Sequence, residues 1–422
     1  MRIAVIGSGI SGQGAALALH GIPGLDVSLF EQAARAGGHA NTAMLQVAGV
    51  TVPVDTGFIV YNNDNYPNFR RFLDWAGVAS QPSDMSFALS LDDGGYEWAG
   101  CQTGTLSAFF AQRRNLLSLA HWRLLGQIIR FQRVARQAVA SANLPSGSLS
   151  DYLDQPGFSK ALRERYIVPM GAAIWSMTRE DMLRFPAATF LTFFDNHKLL
   201  HWRRPQWRTI AGGSRNYVAR TADLLGGRLL LNRRIVRIVR EQGHVRLCDQ
   251  SGRWQDFDGV IIATSAPHAL ALLDRATPQE TAILGAFRVS SNRAVVHTDE
   301  RLMPQSRNAW ASWNVLAQSA GTAATITYWM NRLQKLPTPA DIFISLDPHI
   351  APRSGTVLAE IDYQHPIYDA AAIAAQAKLA AIQGPLVGFA GAWTGYGFHE
   401  DGLRSGLAAA QLWGGVAPWE RP

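Results

Sequence analysis

Cysteine is nearly absent from the 422 residues: only Cys101 and Cys248 occur, far apart, with no Cys-x-x-Cys pair and no cysteine and histidine cluster. That excludes a disulfide framework and a thiolate zinc motif, and no metal site is expected. Lysine is scarce as well. Only Lys160, Lys198, Lys335 and Lys378 are present, so the basic charge is carried almost wholly by arginine. No glycine-rich loop ends in a phosphate-transfer lysine, and no Ser, His and Asp triad can be read. No apolar run approaches the ~18 residues of a membrane-spanning helix. The first apolar strand begins at residue 2, with no charged or apolar leader before it, so a signal peptide is not expected and a reducing, cytoplasmic location is the default.

The apolar content of 47% and charged content of 17% describe a well-packed globular chain able to bury a large ligand. Its length corresponds to about two to three domain-sized units. The net charge of +7 has two readings: affinity for an anionic surface such as phospholipid headgroups, or solubility alone. No nucleic-acid partner is expected.

The densest information lies in residues 2 to 38. A short apolar strand, Arg2-Ile3-Ala4-Val5-Ile6, runs into Gly7-Ser8-Gly9-Ile10-Ser11-Gly12, and Glu31 and Gly37-Gly38 follow. Gly7 permits the tight strand-to-helix turn, Gly9 lets backbone approach a pyrophosphate, and Gly12 lets the helix sit close to the sheet. The phosphates then face unpaired N–H groups at the positive end of a helix. Glu31, ending the strand Val27-Ser28-Leu29-Phe30, is spaced to accept hydrogen bonds from ribose hydroxyls and to repel a 2′-phosphate, so a dinucleotide other than NADP is expected.

Further along, Val50 to Phe58 alternates and ends in glycine, reading as a strand that returns a loop to the ligand, and helical patterning covers Pro67 to Trp75. Residues 107 to 139 are basic and apolar. On one helix, Leu124, Leu125, Ile128, Phe131 and Ala135 share a face, with Arg123, Gln127, Arg130 and Arg133 opposite. An ordinary surface helix and a peripheral contact with the inner membrane face both fit, and Trp122 and Arg113-Arg114 keep the second reading open. Gly212-Gly213-Ser214 opens a helix, Leu229 to Val239 reads as strands, Phe257 to Thr264 as a buried parallel strand, 369 to 382 as a helix, and Leu386 to Gly391 as another buried strand before a glycine-rich helix start. The fold class expected is α/β: a discontinuous Rossmann-like dinucleotide domain from 1–75, 205–270 and 385–422, with a mixed α+β substrate domain from 76–204 and 271–384.

With these motifs in order, the chain resembles the flavin amine oxidase-like superfamily, whose members hold FAD in such a split domain. The residues that carry the resemblance are the N-terminal glycine loop, Glu31, Arg35-Ala36-Gly37-Gly38, the Ile235 strand, Val260 to Thr264 and Phe389-Ala390-Gly391. Asp55 to Asn62, Ser83 to Phe87, Gln112 to Asn115, Pro169 to Ser176 and Gly397 to Gly402 look like bacterial FAD-dependent proteins encoded beside cyclopropane-fatty-acid synthases, and like the N-terminal domain of plant cyclopropane synthases. The resemblance implies that Gly7, Ser8, Gly9, Ile10, Ser11 and Gly12 hold the pyrophosphate of FAD, Glu31 the ribose and Ile235 the adenine edge. It implies that Arg35, Gly37, Gly38, His39, Thr56, Gly57, Phe58 and Gly391 line the path to the flavin, and that Phe398 and His399 meet the pyrimidine side of its ring.

Two departures stand out. Ala392-Trp393 replaces the aspartate expected after the Phe-Ala-Gly strand, and none of the four lysines sits in the motif that places one near flavin N5. Amine oxidation with rapid reoxidation by O₂ is therefore the less favoured expectation. His39, Tyr396 and His399 are the candidate catalytic side chains, although backbone contact with the flavin, the side chain being incidental, is the favoured reading of both histidines. Tyr396, Phe398 and Trp393 either wall a substrate tunnel or pack in the core. His197, His201 and Trp202 match no metal motif and read as structural. The function expected is an FAD-dependent oxidoreductase acting on a lipid acyl chain; a flavin oxidase of small amines, and a flavin-binding partner of a cyclopropane-synthase-like lipid methyltransferase, are the alternatives.

Overall fold

The computed structural model describes residues 1–100, 106–175, 177–201, 205–318 and 324–421. Cys101, Trp202 and Ser176 lie outside them.

The opening strand Arg2–Ile6 sits at the centre of a five-stranded parallel sheet. Asp26–Phe30 and then Leu229–Leu230 flank it on one side, Gly259–Ile262 and then Val387–Phe389 on the other. These strands are short apolar runs because both faces of the sheet are covered, and alternation has no meaning for a strand without a wet face. The sheet thus draws on three separate stretches of the chain.

One face is covered by the helix Ile10–Leu19, every residue of which is buried. Against it lies the closing helix His399–Ala410, and the contact is made at backbone distance. A Cβ on Gly406 would stand 2.0 Å from the Ser11 carbonyl oxygen, and one on Gly402 would stand 2.7 Å from Ile10. Small residues therefore bring the start of the closing helix beside the glycine loop.

The second layer is a seven-stranded sheet running Val357–Ile367, Arg288–His297, Phe343–Leu346, Ala324–Trp329, Trp313–Ala317, Phe87–Leu91 and Tyr96–Gly100. All neighbours are antiparallel except Trp313–Ala317 against Phe87–Leu91. A helical block packs on it, including Leu119–Ala140, Val168–Trp175 and Ala187–Asn196, around a core of Phe131, Phe190, Phe193 and Phe194.

Local differences from the sequence reading have simple causes. The stretch 107–139 is broken: a 3-10 turn, Arg113–Leu117, precedes the long helix, and the Ser118 hydroxyl caps the new start by accepting from the His121 N–H at 3.3 Å. The expected helix over 369–382 is a helix, Ala370–Gln376, followed by a 3-10 turn, Leu379–Ile382. The strand read through Phe58 stops at Asp55, where the chain turns toward the cavity.

Candidate active site

A single cavity of about 580 Å³ runs from the glycine loop to the second sheet. At its nucleotide end Gly7 has φ +96°, and a Cβ there would lie 2.8 Å from the Ala263 carbonyl oxygen, so the tight turn requires glycine. Gly9 differs: its φ is −64° and a Cβ would meet nothing within 4 Å, because it would point into open cavity space. The helix Ile10–Leu19 has neither a side-chain cap nor an acidic residue in its first turn. Its leading N–H groups are left for an anionic ligand.

Glu31 is held rather than loose. Its Oε2 accepts from the Ser8 N–H at 3.0 Å and the Ser8 hydroxyl at 2.6 Å, and its Oε1 accepts from the Ala33 N–H at 2.9 Å. A carboxylate offers about four acceptor positions, which leaves one for a ribose hydroxyl. Ile235 is buried at the same end, and Ser8, Ile10 and Ser11 line it. Gly12 and Arg35 do not line the cavity. A Cβ on Gly12 would strike the Gly7 carbonyl oxygen at 1.8 Å, while Arg35 donates to the carbonyls of Ala36 and Gly38 and shapes the loop that delivers His39. This donor set, with an open cradle at Gly9 and an oriented carboxylate, fits the adenosine diphosphate half of FAD.

The middle of the cavity is built from Gly37, Gly38, His39, Thr56, Gly57, Phe58 and Gly391, joined by Tyr363, Gln364 and His365 of the strand Val357–Ile367. The Thr56 hydroxyl lies 2.7 Å from the Tyr363 hydroxyl, and the Phe58 N–H donates to the His39 carbonyl at 2.8 Å. Beneath Thr56 is Asp55, fully buried, which accepts from Thr42, from the backbone and hydroxyl of Ser214, and from Gln334. Burial pushes its pKa up to about 6 despite those four contacts.

The candidate histidines are fixed by their neighbours. His39 Nε2 lies 3.1 Å from the Gln364 carbonyl, its ring stacks on Tyr363, and burial lowers its pKa, with the Gln364 contact opposing and Arg35 adding to the fall. His399 stacks on Phe58 and bonds the Tyr217 hydroxyl through Nε2; burial holds it well below the usual histidine range. Asp401 Oδ2 accepts from the N–H groups of Tyr396 at 3.0 Å and Phe398 at 3.1 Å, so the Phe398 N–H is engaged within the turn. Phe398 instead presents its ring, stacked 5.0 Å from Phe193, and Tyr396 meets Phe193 edge-on. Trp393 donates to the Thr264 carbonyl at 2.9 Å and packs on Phe287.

The far end is apolar and aromatic: Val60, Ile174, Trp175, Phe193, Trp313 and Leu346 are among its walls. His197, read from the sequence as structural, also lines it. Its Nδ1 lies 3.1 Å from the Phe193 carbonyl, which makes Nδ1 the protonated nitrogen, and burial lowers its pKa to about 4. The neutral ring keeps its lone pair on Nε2. Among the described residues lining the cavity, the only acidic one is Glu31, at the nucleotide end, and there is no lysine. His201 is turned aside onto Asp195, and no cluster able to hold a metal occurs among the described residues.

Sequence reasoning did not single out Tyr363, Gln364 and His365. Their signal was the placement of Tyr363 and His365 two residues apart, hence on one face of a strand.

The pattern of flavin containing amine oxidoreductases matches residues 10–363. A putrescine oxidase bound to putrescine is similar in structure at 13% identity, covering 97% of this chain and 98% of that one with a TM-score of 0.70. Cyclohexylamine oxidase from Brevibacterium oxydans IH-35A is similar at 17% identity, with 97% and 98% covered and a TM-score of 0.67. A CLA-producing fatty acid isomerase from P. acnes is similar at 15% identity, with 97% of each chain covered and a TM-score of 0.67. No curated protein matches by sequence. The chain belongs to the flavin containing amine oxidoreductase family and is an FAD-dependent oxidoreductase.

Proposed function

We propose that this enzyme oxidises the acyl chain of a lipid, a modified fatty acid or its phospholipid. The observation that carries the reading is the far end of the cavity, walled by apolar and aromatic side chains and free of acidic groups among the described residues. A hydrocarbon chain is stabilised there by roughly 0.8 kcal/mol for each methylene removed from water, whereas an ammonium ion would meet no carboxylate.

When bound, FAD supplies a two-electron hydride acceptor. The protein's part is to seat the cofactor along Gly7 to Ser11 and Glu31 and to exclude water with the aromatic walls. The choice of modified acyl chains draws on the resemblance of motifs such as Gly397 to Gly402 to proteins encoded beside cyclopropane synthases.

An amine substrate is the second reading. It draws on the family's own description and on the similarity to putrescine oxidase and cyclohexylamine oxidase. Mass spectrometry of a lipid extract after anaerobic incubation with the oxidised enzyme separates the two. A lipid lighter by two hydrogens supports acyl-chain oxidation; an unchanged extract, alongside turnover of an amine, rejects it.

A further inference from the structure

The long helix Leu119–Ala140 buries His121, Leu124, Ile128, Phe131 and Ala135 against the helical block. Its opposite face is not the usual polar surface. Leu119 is 73% exposed, and Trp122, Ile129 and Val134 are exposed with it. Just before the helix, Leu116 is exposed and Leu117 is 91% exposed. Spacings of three and four residues put Leu119, Trp122, Arg123, Ile129, Arg130 and Arg133 on one side of the helix.

These side chains are presented rigidly. Asn115 is buried and donates to the Glu97 carbonyl at 3.1 Å. His121 is buried and bonds the Tyr96 hydroxyl and the Phe109 carbonyl. The Trp122 indole N–H donates to the Leu116 carbonyl at 2.9 Å, tying the leucine turn to the first turn of the helix. The leucines therefore stand in water because the fold holds them there.

Within this stretch of chain the charge has one sign, while the exposed Asp92 and Asp93 lie on the neighbouring turn whose Gly94 and Gly95 carbonyls accept from Arg114. From residue 98 to residue 150 there is no aspartate or glutamate, while Arg113, Arg114, Arg123, Arg130, Arg133 and Arg136 are all present. All six are exposed, and none takes part in an ion pair among the described residues. Apolar side chains at the tip, an interfacial tryptophan and unpaired arginines around them are what an anionic bilayer surface complements: the leucines enter the acyl boundary and the guanidinium groups meet lipid phosphates.

We propose that Leu116, Leu117, Leu119 and Trp122, with the surrounding arginines, dock the enzyme on the surface of an anionic phospholipid membrane. The same helix packs on Ala187–Asn196, which carries Phe193 of the cavity wall, so the docking face and the cavity belong to one block. The inference is independent of which molecule the flavin oxidises.

The test is flotation of the FAD-bound full-length protein with vesicles of phosphatidylcholine alone or with phosphatidylglycerol added, at low and high salt. The expected result is binding to the anionic vesicles only, weakened by salt. Replacing Leu117→Asp and Leu119→Asp together, or Arg123→Glu and Arg133→Glu together, should lower the bound fraction by about tenfold or more. All four positions are exposed, so the flavin spectrum and melting temperature should stay as in the parent protein, which shows that the variants fold. Equal binding to neutral and anionic vesicles, or binding that survives the substitutions, overturns the proposal. So does a lipid-independent dimer that the leucine substitutions dissociate, because the face would then belong to a second copy of the chain.

Discussion

The rings of Phe58 and His399 stack with centroids 3.7 Å apart and planes 6° from parallel, while His399 Nε2 lies 2.6 Å from the Tyr217 hydroxyl. A histidine clamped on its face and bonded at its edge orients its neighbours; it does not shuttle protons. Burial holds it neutral far below ordinary pH, so His399→Gln should leave every inflection of the pH profile of flavin reduction in place. It should cost about 1–3 kcal/mol of stability by leaving the Tyr217 hydroxyl poorly paired. An ionisation that vanishes in the variant would identify His399 as the base instead.

Gly9→Val separates cofactor binding from folding. Its backbone is in an ordinary region and its Cβ direction is empty, so the variant should melt as the apoprotein of the parent does. Its side chain would stand where the pyrophosphate must approach, and the purified protein should be nearly colourless. Flavin absorbance at parental stoichiometry would contradict the placement of FAD.

Asp55 gives a pH signature with a definite sign. Its pKa is raised from 3.8 to about 6 in the fold, so the native state binds the proton more tightly than the unfolded chain does. The contribution to stability is fully present below the unfolded pKa and is lost as pH rises through about 6. The rise from 3.8 to about 6 corresponds to roughly 3 kcal/mol. In Asp55→Asn, denaturant melts over this interval should lose that slope. Asp55→Ala should also loosen FAD, because Thr56 and Gly57 follow it into the cavity wall.

The parts legible in the sequence were those whose meaning is local. Gly7, Gly9 and Glu31 fall within one strand-helix-strand unit, and the buried side of the long helix follows from Leu124, Ile128, Phe131 and Ala135 alone. What could not be read were partners brought together by tertiary pairing. His399 reads as a flavin contact or candidate base until Tyr217 and Phe58 arrive from elsewhere in the chain. Tyr363 and His365 reach the cavity only because Val357–Ile367 pairs with Arg288–His297. The break at Ser118 was hidden for another reason: the apolar period continues across it, while a single capping hydroxyl resets the backbone.

The central claim is that an acyl chain occupies the apolar end of the cavity beside the flavin. Anaerobic absorbance of the oxidised holoenzyme, titrated with phospholipids bearing cyclopropane or methyl-branched chains and in parallel with putrescine and cyclohexylamine, tests it most directly. The account predicts bleaching of the flavin band by the lipid and none by the amines. Bleaching by the amines alone would contradict it.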